Sequence, residues 1–347
     1  MTSALTTAPP GLGEIQRSAG RRLLGLVIMI AILALAVVAS AAFGVRSISL
    51  TDVLAGLAGG TETAGQAAVA ARLPRTVMGF LVGAALAMAG TTMQAVTRNP
   101  LADPGILGVL SGASLAVVIG LSFFGLSSPV TTVFVAVMGS ATAALFVYGV
   151  GSLGRGGATP LKLALAGAAT SAAASSLVSA ILLPRAQVMD SFRSWQIGGT
   201  GGATWGKVVL VAPFLVVGAL LCLALARGLN ALALGDDVAT GLGENVLRTR
   251  LLASLGAVIL CGVATAACGP IGFVGLIVPH ICRLLVGTDH RWLLWFAAVA
   301  GSCLLLISDT VGRVIVPNSE IDVGIITPFI GAPFFIWIVR RQKVREL

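Results

Sequence analysis

Charged side chains are scarce in this chain. Asp, Glu, Lys and Arg make up 10% of its 347 residues, whereas 57% are hydrophobic. Soluble domains carry roughly a quarter charged residues to hold their surface in water, so a water-soluble globular domain is excluded. Histidine is nearly missing, with two residues, and tyrosine occurs once. The five cysteines, Cys222, Cys261, Cys268, Cys282 and Cys303, lie inside apolar stretches and form no CxxC pair. That spacing argues against a zinc site or a disulfide framework, and they read as small packing residues. No GxSxG or HExxH run is present. The excess of 22 basic over 13 acidic residues would suit a nucleic-acid binder if the basic residues clustered on an exposed face. Here they punctuate apolar runs, so no nucleic-acid partner is expected and the excess reports orientation in a membrane.

A helix needs about 20 mostly apolar residues to cross the hydrocarbon core. Ten segments meet that window, near 23–44, 76–97, 105–124, 129–151, 161–183, 207–226, 250–268, 271–288, 292–308 and 323–339. The expected fold is all-α and polytopic. Only Gly269-Pro270 separates the seventh and eighth segments, so a merged or re-entrant pair is the alternative there. Arg17, Arg21 and Arg22 precede the first segment and Ala39-Ser40-Ala41 resembles a cleavage site. Its apolar run nevertheless exceeds the 7–15 residues of a signal peptide, and it is expected to be retained. Residues 1–20 are expected to form a disordered cytoplasmic tail, and 21–347 one membrane domain with a cytoplasmic loop at about 227–249.

Ten crossings put both termini on one side. With that side cytoplasmic, 15 basic residues face inward, Arg98, Arg155, Arg227, Arg283 and Lys343 among them. Seven face outward: Arg46, Arg72, Arg75, Arg185, Arg193, Lys207 and Arg313. The bias places both termini in the cytoplasm.

The ten segments contain essentially no ionisable group, and the acids fall in loops or at helix ends. Coupling to an ion gradient requires such a group near the midplane, so uphill transport would draw its energy from outside the chain. The stretch Gly201-Gly202-Ala203-Thr204-Trp205-Gly206-Lys207-Val208 is not a phosphate loop. Val208 stands where the magnesium-binding hydroxyl belongs. His280 follows Pro279 on an apolar helix and reads as a structural residue bonded to backbone; His290 reads as a polar loop residue. Gly79, Gly83, Ala87 and Thr91 recur every four positions, a stripe of small residues against which another helix packs closely.

Three loops stand out. Arg72-Leu73-Pro74-Arg75 and Arg313 present cations at the outer face, suited to a partner's carboxylates; lipid phosphates or an i,i+4 pair with Asp309 are the alternatives. The inner turn from Arg98 contains Asn99, Pro100, Asp103, Pro104 and Gly105. It reads as a rigid link in which Asp103 caps the next helix, and with Pro279 and His280 it is classed as structural turn. The third, residues 227–245, reads as two short amphipathic helices separated by glycines. Asp236 and Asp237 favour a helix start, and Gly241 and Gly243 a helix end. It fits a docking element for a soluble partner or a solvated loop equally well.

The stretches 72–114 (RLPRTVMGFLVGAALAMAGTTMQAVTRNPLADPGILGVLSGAS), 229–243 (LNALALGDDVATGLG), 269–291 (GPIGFVGLIVPHICRLLVGTDHR) and 330–341 (IGAPFFIWIVRR) resemble the FecCD-type permeases of bacterial ABC importers. The resemblance covers the chain from about residue 20. It implies a ten-helix permease of the type II importer fold, working in pairs and carrying ferric siderophores, with haem or cobalamin as alternatives. It implies no chemistry on the substrate and no cofactor held by this chain; ATP and magnesium are used by two cytoplasmic ATPase subunits. By resemblance, Arg72, Arg75 and Arg313 match the outer arginines that engage glutamates of an extracytoplasmic substrate-binding protein. The run containing Leu234, Gly235, Asp236, Asp237, Ala239, Gly241, Leu242, Gly243 and Glu244 matches the coupling helices that sit in a cleft of the ATPase. The stretches 261–266, 271–273 and 312–317 are similar to the ferric-enterobactin branch, which pairs two different permeases and so favours a heterodimer. Asp322 departs from the family, which usually has proline there.

Overall fold

The computed structural model describes residues 19–44, 50–154, 159–316 and 319–341. The tail up to residue 18, and Arg46, Arg155, Pro317, Lys343 and Arg345, lie outside these ranges. The ordered elements are helices: α1 (Ala19–Ala42), α2 (Leu50–Leu57), α3 (Ala64–Thr97), α4 (Val109–Phe123), α5 (Pro129–Ser152), α6 (Pro160–Leu182), α7 (Ala186–Ile197), α8 (Trp205–Ala224), α9 (Ala226–Ala233), α10 (Asp236–Gly241), α11 (Val246–Cys268), α12 (Val274–Val286), α13 (His290–Val314) and α14 (Val323–Arg341), with one 3₁₀ turn at Pro104–Leu107.

Each of the ten expected crossings has its helix. Seven are long and apolar (α1, α3, α5, α6, α8, α11 and α13), and α4, α12 and α14 are shorter. The seventh and eighth segments do not merge. The carbonyl of Cys268 at the end of α11 accepts the Gly199 N–H at 2.7 Å. Left-handed backbone at Gly269 (φ 73) and Phe273 (φ 69) then turns the chain into α12. Two rim helices, α2 and α7, are additions to the sequence reading, because neither is long enough for a 20-residue window.

The central pillar is α3, which packs against α13, α11, α12, α8 and α1. Its small residues explain that position. A Cβ on Gly83 would collide with the Gly301 backbone of α13, and one on Gly90 with the Gly275 backbone of α12. Without those side chains the helix backbones meet closely, so the Gly79–Thr91 stripe serves packing within the chain. α4 instead packs against α5 and α6.

Pro279 and His280 are not at a turn: both lie inside α12, and the turn comes earlier, at 269–273. Proline has no N–H for the carbonyl four residues back, which here is Gly275. That carbonyl accepts the Gln94 side-chain N–H of α3 at 3.1 Å. A buried glutamine on the pillar thus replaces the missing helix bond and lets α12 pass through the proline.

Candidate functional site

Both ends of the bundle gather polar residues. At one end, α3, two to three turns in from its start at Ala64, and the last turn of α13 carry the three arginines singled out in the sequence. Asp309, 2% exposed, sits between two of them. Arg75 donates to it through Nε (3.0 and 3.1 Å) and Nη2 (2.9 Å). Arg313 pairs with it from the other side at 3.0 Å, and the Thr200 hydroxyl donates to it at 2.5 Å. Two guanidiniums on one carboxylate, with a hydroxyl completing its shell, give a buried charge the partners it requires.

Arg313 is 1% exposed. Beyond Asp309 it donates to the Ser40 carbonyl (3.0 Å), the Phe43 carbonyl (3.1 Å) and Ser40 Oγ (2.9 Å). It therefore ties α13 to the end of α1, and the i,i+4 pair read in the sequence is present. Arg75 reaches outward with Nη1, which donates to Glu320 at 2.6 Å. Arg72 donates through Nη1 to the Ala41 and Ala42 carbonyls at 3.2 and 2.9 Å. Of the three arginines, Arg72 and Arg75 approach the surface and Arg313 braces them from beneath. Asp322 stands close by, against Gly199. Partial burial raises its carboxyl above the usual 3.8; the charge of Arg75 opposes this, and those of Glu320 and Asp309 add to it.

The other end carries the two short helices expected from the sequence, α9 and α10, separated by Gly235 at φ 117. Leu229 and Leu232 anchor α9 in the core. Asp236 opens α10 and receives Arg98, at the end of α3, and Arg250 of α11, the latter at 3.0 Å. Arg98 also donates to the Leu232 carbonyl at 2.7 Å. Asn230 of α9 donates to Asp289 and accepts the His290 N–H at 2.7 and 2.8 Å. His290 is thus a buried residue opening α13, with Nδ1 2.8 Å from Asn230 Oδ1, and not a loop residue. Burial would raise the Asp289 carboxyl, but Asn230, the Arg291 N–H and the charges of Arg291 and Arg22 outweigh that and hold it below its usual range.

Glu244 receives the Thr249 hydroxyl, and Ala239 is buried. Asp237, Gly241 and Gly243 are exposed. Leu234, Val238 and Leu242, spaced by four, point away from the bundle, with Leu242 66% exposed. The result is an apolar ridge outside the packed helices whose base is bonded to α3, α11 and α13.

Starting from this second end, the turn 98–105 behaves as expected in one respect: Asn99 Oδ1 accepts the Leu101 N–H at 2.9 Å, and Asp103 Oδ1 accepts the Gly105 N–H at 2.8 Å, beside Pro104. Its depth was not legible. Asp103 lines a cavity of about 270 Å³ with Leu86, Leu110, Cys261, Phe273 and Gly275. Leu86 lies eleven residues inside α3 from Thr97, about 16 Å of helix rise. A loop acid therefore enters the bundle, which corrects the reading of an interior clear of carboxylates.

Among the described residues no group of His, Cys, Asp and Glu is placed to hold a metal, and all five cysteines are free and buried.

The FecCD transport family model matches residues 32–341. The chain is 45% identical over 317 residues to the ferric enterobactin transport system permease protein FepD of Escherichia coli (strain K12), covering 90% of this chain and 94% of that protein. It is 44% identical over 272 residues to the Fe(3+)-citrate import system permease protein YfmD of Bacillus subtilis (strain 168), covering 78% and 80%. A solved metal-chelate type ABC transporter in an inward-facing conformation matches with a TM-score of 0.81 at 28% identity, covering 92% of this chain and 99% of that one.

Proposed function

The chain belongs to the FecCD transport family, and we propose on that footing that it forms half of the pathway by which an ATP-driven, binding-protein-dependent importer carries a ferric siderophore across the cytoplasmic membrane. It is a permease subunit and not an enzyme. Its termini and the α9–α10 element face the cytoplasm, in keeping with the inward bias of basic residues, and the Arg72–Arg75 rim faces outward. A ferric catecholate is the first substrate to try, given the 45% identity to an enterobactin permease.

The observation that carries this reading is the exposed ridge of Leu234, Val238 and Leu242. An apolar ridge standing in water marks a contact surface, and this one is fastened at its base by ion pairs to α3 and α11 and by Asn230 to α13. A partner that moved it would move the transmembrane helices. We assign that partner as one of two ATPase subunits, which bind ATP and magnesium. The second permease is a different chain, by likeness to the enterobactin branch. Arg72 and Arg75 meet acidic side chains of the binding protein, with Arg313 holding the rim in place.

Gly241→Pro combined with Leu242→Asp tests the coupling role. Both positions are exposed, so the chain should insert and fold. ATP hydrolysis by the assembled complex should continue while uptake falls at least about ten-fold, a loss equal to about 1.4 kcal/mol. Uptake at the parental rate would sink the assignment.

A further inference from the structure

We propose that Glu320 is an internal stand-in for the docking partner's carboxylate: it covers Arg75 in the free permease and gives that guanidinium edge up when the binding protein arrives. This inference rests on the docking role given above to the outer arginines.

The geometry separates two kinds of carboxylate on Arg75. Asp309 holds Nε and Nη2, is 2% exposed, and is shared with Arg313 and Thr200. Removing it would strand a second guanidinium, so it is a fixed ligand. Glu320 holds only Nη1, at 2.6 Å, and its side chain is 43% exposed against 11% for Arg75. It therefore lies over the outward edge of an otherwise buried cation, where an incoming acidic side chain would have to bind.

Glu320 is also free to leave. It sits on a non-helical stretch before α14, where the neighbouring Ile321 N–H bonds to the Gly312 carbonyl at 2.9 Å, so the side chain can swing into water without unwinding a helix. Asp322, two residues on, places a like charge beside it, which loosens its hold. Both working edges of the Arg75 guanidinium are already taken, Nε and Nη2 by Asp309 and Nη1 by Glu320. A further carboxylate therefore reaches Arg75 by exchange and not by addition, because Asp309 is fixed by Arg313 and Thr200 while Glu320 holds the one exposed donor. Docking then includes the cost of releasing Glu320. That cost weakens binding and makes it responsive to the number of acidic groups on the partner.

The test uses the assembled permease–ATPase complex in lipid nanodiscs and the purified cognate substrate-binding protein, with affinity measured across a salt series. Glu320→Gln keeps the shape and removes the competing charge. It should tighten binding by about five-fold, the scale of a partly exposed ion pair, with the gain shrinking as salt rises. Glu320→Asp, which keeps the charge, should bind like the parent. Arg72→Gln serves as the check on docking itself and should weaken binding. If it does while Glu320→Gln binds like the parent or more weakly, the stand-in role is overturned and the docking surface survives. If Arg72→Gln and Glu320→Gln both leave affinity unchanged, the docking surface is misassigned and the stand-in role falls with it.

Discussion

Single residues decide what the ends of this bundle can do, and Asp309 shows why. It lies at 2% exposure between Arg75 and Arg313. Removing one partner of a buried ion pair leaves an uncompensated charge, at a cost of about 3–5 kcal/mol. Asp309→Ala should lower the melting temperature of the purified permease sharply and reduce its level in the membrane. A melting curve that overlays the parent would show that the cluster does not brace the rim. Asp322 has the opposite character. Its carboxyl is raised above 3.8, chiefly by burial, so the folded state holds a proton more readily than the unfolded chain does. That preference favours the fold at low pH and is lost as pH rises through the raised value. Asp322→Asn should raise thermal stability at pH 8, and the gain should vanish as pH falls towards 4. The acid was visible in the sequence as a departure from the family's proline, with Glu320 two residues before it; its approach to Arg75 was not, because that residue comes from a distant part of the chain.

Among the elements, α13, like α3, reaches both working ends. Its first turn is held by Asn230 of α9, and Asp309 and Arg313 near its far end organise the arginine cluster. Between them Gly301 lets it lie against α3 at backbone distance. On the function proposed above, movement of α9 would pass to a helix whose other end holds Asp309 and Arg313. Asn230→Ala would leave Asp289 and the His290 N–H without this partner, an effect of about 1–3 kcal/mol for buried groups. It should lower the amount of chelate transported per ATP hydrolysed, with the assembled complex recovered in normal amount. An unchanged ratio would remove α13 from the path. The helices themselves were largely legible, since a 20-residue apolar run has few alternatives in a membrane protein. The short helices α9 and α10 were legible from Gly235, Gly241 and the acids at 236–237. The pairing of α3 with α13 was not, because a stripe of small residues says that a helix packs there and not which one. Gln94 facing the carbonyl freed by Pro279, and the depth reached by Asp103, were hidden for the same reason: each is a contact between segments far apart in sequence.

At the scale of the whole molecule, scarcity of charge and its placement point the same way. Two polar clusters lie at the ends of the bundle, one built on Arg72, Arg75 and Arg313 and the other presenting the apolar ridge of Leu234, Val238 and Leu242. Asp103 is the exception within, a carboxylate in a 270 Å³ cavity. Its Oδ1 is engaged by the Gly105 N–H, which gives it a place in holding the turn and leaves the driving force to the partner ATPases. As a permease of an ABC importer, the chain is moved by ATP and not by an ion gradient. Proteoliposomes holding the permease pair and its ATPases, supplied with the binding protein and a labelled ferric siderophore, measure this directly. Uptake should require both ATP and the binding protein and should be indifferent to an imposed proton or sodium gradient. Accumulation driven by such a gradient, with the ATPases omitted, would contradict it.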